Sequence, residues 1–154
     1  MEAVRLATED DIPALADLAR AAIAELRETK GGEMWVRTAA RPEPLEESLR
    51  AAIADPDQLL LAGTVDGVIL GYGAARMERL RDGALLAVMD DIYVDHQARG
   101  VAVGEVVMDA ALVWARGRGC IGIDSVALPG NRDTKNFFER FGLVARAIVV
   151  HKRL

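Results

Sequence analysis

Two adjacent carboxylates and a glycine-bearing loop fall within fifteen residues of each other. Asp90 and Asp91 lie in Met89-Asp-Asp-Ile-Tyr-Val94, and Val94-Asp-His-Gln-Ala-Arg-Gly-Val-Ala-Val-Gly104 follows at once. An apolar strand that ends in Arg99, Gly100 and Gly104 and turns straight into a helix aims free backbone N–H groups at one point. The helix dipole adds positive potential there, which suits a phosphate or pyrophosphate. The glycine spacing matches neither a dinucleotide fingerprint nor a P-loop, since no Gly-Lys-Ser/Thr follows. Taken alone, the loop is equally explained as a plain turn. A carboxylate at the centre of a sheet attracts an ammonium ion and can relay its proton, although an arginine or backbone partner would make either aspartate purely structural. Strand alternation puts Asp90, Ile92 and Val94 on one face and Asp91 and Tyr93 on the other.

The elements that must hold these residues follow from periodicity. Val4 to Ala7 forms a short strand, and Thr8 with Asp11 resembles a capping box. Ile12, Leu15, Leu18, Ala19, Ala22, Ile23 and Leu26 then repeat at helical spacing until about Glu28, and Lys30-Gly-Gly32 breaks the helix. Residues 33–44 are expected as a loop, and a second helix runs from Leu45 to Ile53. A three-strand meander comes next: Leu59 to Val65, a turn at Asp66-Gly67, Val68 to Arg76, and Leu85 to Val94. The order then becomes helix (Gly104 to Arg116), strand (Ile121 to Leu128), helix (Asp133 to Phe141) and a last strand (Arg146 to Lys152). Antiparallel strands followed by a βαβ unit predict an α/β (α+β) architecture, a mixed central sheet with helices on both faces. A doubly wound parallel sheet would need βα units from the start.

The chain has 154 residues, 51% of them hydrophobic, enough for one domain (1–154) with a substantial core. Its formal charge is −5 with dispersed acids, against nucleic-acid binding. No signal peptide and no apolar run of membrane-spanning length occurs, so no membrane partner and a cytoplasmic location are expected. Cys120 stands alone in an apolar stretch, which predicts a buried, inert thiol. His96 and His151 are too far apart in sequence for a metal pattern, so no metal is expected. The arginines at 76, 79, 81, 116 and 118, and Lys152-Arg153, are expected on solvated surface.

Three segments together resemble a known family. Asp90 to Gly104 resembles motif A of the GNAT N-acetyltransferases, in which Arg/Gln-x-x-Gly-x-Gly/Ala follows a strand and binds the pyrophosphate of acetyl-CoA. Asn131-Arg-Asp-Thr-Lys-Asn-Phe-Phe-Glu-Arg-Phe-Gly-Leu143 is similar to the second signature of that family, and Val4 to Leu15 to its first strand and helix. The resemblance implies a GNAT fold and acetyl-CoA as co-substrate. It implies cofactor contacts from Ile92, Tyr93, Val94, Arg99, Gly100, Val101, Ala102, Val103, Gly104, Glu105, Asn131 and Phe138. Asp90 matches an acidic position used to bind or deprotonate an amine, and is the expected catalytic residue. Homodimers are common in the family, but this sequence carries no sign of one.

Two departures bear on activity. Many relatives carry a Tyr seven residues after the Asn, which protonates the leaving thiolate; here that position is Phe138, which has no proton to give. Phe137, Phe138 and Phe141 are therefore expected chiefly to pack helix on sheet. Ser125, Thr134 and Tyr93 are alternative hydroxyls. The usual first glycine of the loop is Ala102, whose methyl crowds an approaching phosphate and weakens CoA binding. Glu105 would repel the pyrophosphate unless it points away. Asn131 is expected either to brace the loop or to make an Asx turn, and Trp35 either to wall the acceptor or to pack under a loop.

The expected activity is acetyl transfer to a primary amine of a small molecule or peptide by direct attack in a ternary complex, since no convincing nucleophile exists for a covalent intermediate. One rival is a non-catalytic acyl-CoA-binding module, consistent with Phe138 and Ala102. Another keeps the fold and uses a longer acyl or aminoacyl donor.

Overall fold

A computed structural model describes all residues, 1–154. Five strands form one sheet in the order β1-β2-β3-β4-β5: Glu2–Leu6, Gln58–Val65, Val68–Arg79, Leu85–Val94 and Ile123–Ser125. The first four are antiparallel neighbours, and β5 lies parallel to β4, giving the mixed sheet expected. The helices are α1 (Ile12–Arg27), α2 (Gly32–Thr38), α3 (Leu45–Ala54), α4 (Val103–Gly117) and α5 (Arg132–Arg140). None is long and apolar enough to cross a membrane.

Each face of the sheet carries its own apolar layer. Leu15, Ala16 and Ala19 of α1 and Leu45 and Leu49 of α3 pack on Leu60, Ala62, Tyr72 and Ala74. On the opposite face Val103, Val107, Met108 and Ala111 of α4, with Phe138 of α5, cover Leu59, Leu61, Ala75 and Met89. Each fully buried aliphatic side chain contributes roughly 1.5–3 kcal/mol relative to exposure. Gly63, Gly71 and Gly73 let α4 sit close to the strands: a Cβ on Gly73 would fall 2.5 Å from Val107 Cγ1 and 2.8 Å from Met89 Cε. The start of α1 is locked by Asp11, which accepts from the Thr8 amide at 2.8 Å and pairs with Arg5 at 2.6 and 2.9 Å. That guanidinium holds the Asp11 carboxyl down to about 2 against its burial.

Four expectations are corrected. Residues 32–38 form a short helix inside the expected loop; Gly31, at φ 84°, turns the chain, and α2 restarts with Glu33 in its first turn and Arg37 in its last. The strand expected over 121–128 shortens to Ile123–Ser125, because it has a neighbour on one edge only. The strand expected over 146–152 does not form, for the lack of any partner. Cys120, just past α4, is partly exposed rather than buried.

Candidate active site

The register between β3 and β4 slips once, at the two carboxylates. Ala74 pairs with Asp91, whereas Ala75 pairs with Met89, so Asp90 is an extra residue in the ladder, a β-bulge. The bulge changes the phase of the strand. Met89, Ile92 and Val94 all contribute to the layer under α4, although 89 and 92 differ by three. Asp90 therefore does not share the face of Ile92 and Val94, as strict alternation required. Its carboxylate accepts from Arg76 Nε at 3.1 and 3.3 Å, and Asp91 turns to Tyr72 under the opposite layer. The bulge delivers both acids to one cleft.

A second irregularity opens that cleft. β4 pairs with β5 only at Ala87, Val88 and Met89; from Asp90 to Val94 its outer edge has no strand beside it. The gap widens into a cleft of about 540 Å³, within the range of small-ligand sites. One wall is Asp90 to Val94, the other Ser125 to Leu128, and the floor is the loop into α4.

In that loop the amide N–H groups of Gly100, Ala102, Gly104 and Glu105 have no hydrogen-bond partner within the chain, whereas Val101 and Val103 donate to Ala98 and Val101 carbonyls. Gly100 sits at φ 92°, a conformation that favours glycine. Four free donors at the positive end of a fifteen-residue helix are an arrangement suited to an anion. Ala102 takes φ −74°, so its methyl is sterically unstrained there.

Paired charges hold the walls. Arg41 Nε and one NH2 group donate to Asp91 at 2.9 and 3.2 Å, its other NH2 group donates to Ser48, and the Tyr72 hydroxyl donates to Asp91 at 2.8 Å. Burial opposes the Arg41 charge, but the neighbouring Asp91 carboxylate more than compensates, so the Arg41 pKa is raised. Burial and Asp91 push the Tyr72 hydroxyl far up. Nearer the loop, Glu25 of α1 accepts both NH2 groups of Arg99 at 3.0 and 2.9 Å and the Tyr93 hydroxyl at 3.0 Å. Arg99 keeps the Glu25 carboxyl below its ordinary range, while burial and Glu25 raise Tyr93 to about 12. Arg99 Nε also donates to the Val94 carbonyl, tying the loop to the strand end. Burial raises the pKa of Asp90, only partly offset by Arg76.

Most residues singled out from sequence converge on this cleft: Asp90, Ile92, Tyr93, Val94, Arg99, Gly100, Val101, Ala102, Gly104, Glu105 and Asn131. Two do not. Val103 is fully buried against the sheet, and Phe138, 6% exposed, lies in the layer beneath α4; its neighbour Phe137 lines the cleft instead. Helical geometry explains the exchange, since adjacent residues point about 100° apart. Asn131 caps α5 by accepting from the Thr134 amide. Glu105 turns toward Arg140, and Trp35 borders the cleft from α2. Sequence reasoning missed Arg41, Tyr72 and Glu25, which come from the segment between α2 and α3, from β3 and from α1, and carry no local signature. It also left Arg76 on open surface, where the bulge gives it Asp90. No three His, Cys, Asp or Glu side chains converge as a metal site would require.

The scaffold of the cleft is thus a mixed sheet whose β4 edge lies open beside a helix start with four free amides. The chain belongs to the acetyltransferase (GNAT) family, whose model matches residues 18–143. It is 31% identical over 93 residues to an aminoglycoside N(6')-acetyltransferase type 1 of Klebsiella aerogenes, a match covering 57% of this chain and 61% of that protein. The BH1408 protein of Bacillus halodurans, as a tetramutant, superposes with a TM-score of 0.82 at 17% identity over 99% of both chains. AAC(6')-Iy, solved with a CoA bisubstrate analogue, superposes with a TM-score of 0.77 at 15% identity over 100% of this chain and 98% of its own.

Proposed function

We propose that this protein transfers an acetyl group from acetyl-CoA to a primary amine of a small molecule or peptide, by direct attack in a ternary complex. The observation that carries the reading is the one-sided β4 edge, Asp90 to Val94, opening beside four unpartnered loop amides. The amides of Gly100, Ala102, Gly104 and Glu105 hold the pyrophosphate. The free edge of Ile92 to Val94 hydrogen-bonds the extended pantetheine arm as a missing strand would, and presents a main-chain N–H to the thioester oxygen, where charge develops.

Asp90 is the better of the two acids for chemistry. Both Asp91 oxygens are engaged by Arg41 and Tyr72, so that residue braces the wall. Asp90 has only Arg76, and burial makes it a stronger base than an ordinary carboxylate. It draws in the ammonium form of the acceptor and accepts one proton, directly or through water. The amine lone pair then forms the C–N bond, the C–S bond breaks, and CoA leaves as a thiolate that takes up a proton. Phe138 supplies none. Of the three alternative hydroxyls, Tyr93 donates to Glu25 and Ser125 to the Met89 carbonyl; Thr134 alone is not engaged within the chain and borders the cleft.

The missing hydroxyl at Phe138 favours a second reading, a module that binds acyl-CoA without turnover. Release of CoA thiol from acetyl-CoA separates the two. The panel of amines should include an aminoglycoside, because of the Klebsiella relative, together with a polyamine, an amino acid and a peptide N-terminus. Amine-dependent release that drops in Asp90→Asn supports the transferase; calorimetric CoA binding with no release for any amine favours the module.

A further inference from the structure

Arg99, Gly100, Val101 and Ala102 are exposed and span the gap between the buried Ala98 and Val103. Two of the four free loop amides, those of Gly100 and Ala102, lie in this span. Only Arg99 among the four carries a polar side chain, so it alone can tie the span to the rest of the chain by a side-chain hydrogen bond. A guanidinium has five N–H groups, and nearly all of these are engaged. Nε donates to the Val94 carbonyl at 3.1 Å, the two NH2 groups donate to Glu25 at 3.0 and 2.9 Å, and one of them lies 3.2 Å from His96 Nδ1. The guanidinium carbon rests over the Tyr93 ring, 5.3 Å from its centroid. The charge of Arg99 is therefore turned toward α1 and the end of β4. Its partner is oddly placed for a helix: Glu25 stands in the last turn of α1, where a carboxylate opposes the dipole. Its two oxygens instead gather Arg99 from the loop and the Tyr93 hydroxyl from the strand end, with His96 Nε2 3.6 Å away.

We propose that Glu25 is a positioning residue for the cofactor: through Arg99 it sets where the Gly100 and Ala102 amides stand relative to the edge of Ile92 to Val94. The inference rests on the reading of the cleft as an acetyl-CoA site. Pyrophosphate and pantetheine are parts of one molecule, so the loop that holds the first and the edge that holds the second must keep a fixed separation. A single carboxylate that grips Arg99 and Tyr93 together fixes it. The two-point pairing of arginine with carboxylate sets direction as well as distance, which a lysine in its place would not. Arg99 then serves the pyrophosphate through the position of its main chain, while its guanidinium stays with α1. Glu25 also brings a negative charge toward an anion site, and that repulsion works against cofactor binding. The strut matters only if its hold on Arg99 outweighs the repulsion, which gives the test its sign.

The experiment is a calorimetric titration of CoA into four full-length chains: wild type, Glu25→Gln, Arg99→Gln and the double variant. Glu25→Gln keeps the size of the side chain and removes its charge at a half-exposed site, and far-UV circular dichroism checks that the variants fold. Glu25→Gln should raise the Kd for CoA roughly fivefold, and Arg99→Gln by a similar factor. Because Glu25 acts through Arg99, the double variant should bind no worse than Arg99→Gln alone. In turnover, Glu25→Gln should raise the KM for acetyl-CoA while kcat holds within about twofold, since Glu25 touches no reacting atom. A Glu25→Gln chain that binds CoA as tightly as wild type or more tightly, two losses that add in full, or a fall in kcat at unchanged KM would each overturn the assignment alone. A wild type that binds no CoA would overturn the cofactor reading together with it.

Discussion

Arg41 and Asp91, fifty residues apart, meet in a two-point ion pair with side chains 9% and 11% exposed. The pair fastens the segment between α2 and α3 to the bulge in β4, so the end of the cleft beside Asp91 depends on a contact made across the fold.

Breaking that pair from one side leaves a buried charge without its counter-ion. Arg41→Ala should therefore lower unfolding free energy by about 3 kcal/mol, read as a shift in urea midpoint at constant slope. Replacing both partners with apolar residues, Arg41→Met/Asp91→Leu, should recover most of the loss. A double variant as unstable as the single one would contradict this account.

Asp90 must be ionised to take a proton, and burial raises its pKa. The kcat/KM profile should therefore fall in acid at a midpoint above the ordinary carboxylate range. Arg76→Gln removes an influence that lowers the pKa and should move that midpoint higher still. Asp90→Asn should cost roughly 10²-fold in kcat. Its stability should move the other way. A raised folded-state pKa stabilises the fold below the unfolded value and loses that contribution as pH rises through the folded value. At neutral pH the ionised, half-buried group thus opposes folding, so Asp90→Asn should melt higher than wild type, with the gap closing in acid.

Asp11 titrates with the opposite sign. Held down to about 2 by Arg5, it stabilises the fold above its unfolded value of 3.8 and loses that contribution as pH falls from 3.8 toward 2. Asp11→Ala should cost roughly 1–2 kcal/mol at neutral pH through loss of the α1 lock, and almost nothing near pH 2. Equal losses at both pH values would point to packing instead.

Gly73→Ala tests the seat of α4. The added methyl meets Val107 and Met89 well inside contact distance. Overpacking of this kind costs roughly 1–3 kcal/mol. It should also raise the KM for acetyl-CoA more than it changes kcat, because lifting α4 moves the loop amides. Unchanged KM in a destabilised variant would separate the seat from the site.

The three-strand meander, four of the five helices and the loop into α4 were legible because each is a local pattern: apolar periodicity, an Asp-Gly turn, glycines before an amphipathic helix. The bulge was not. It adds one residue to a ladder whose partner lies on another strand, and nothing in Met89-Asp-Asp-Ile marks which residue is extra. That slip hid the common face of Asp90 and Asp91 and the role of Arg76. Arg41 and Glu25 were hidden for a related reason: their partners are 50 and 74 residues away. Phe138 was placed at the cleft by family position, whereas the turn of α5 sends Phe137 there and Phe138 inward. The strand expected over 146–152 did not form, because β-branched composition says nothing about whether a segment finds a partner.

The extra residue at position 90 sets regularity against reactivity. Removing Asp90 would let β3 and β4 pair without interruption and would discard a partly desolvated charge, two changes that any search for a sturdier sheet would reward. The same deletion would leave Asp91 and Tyr93 paired as they are, opposite Ala74 and Tyr72, and would take from the cleft only the carboxylate that is not locked by Arg41 and Tyr72. Selection for stability alone would thus iron the strand flat, and what persists there is a fault that the rest of the fold is built to tolerate.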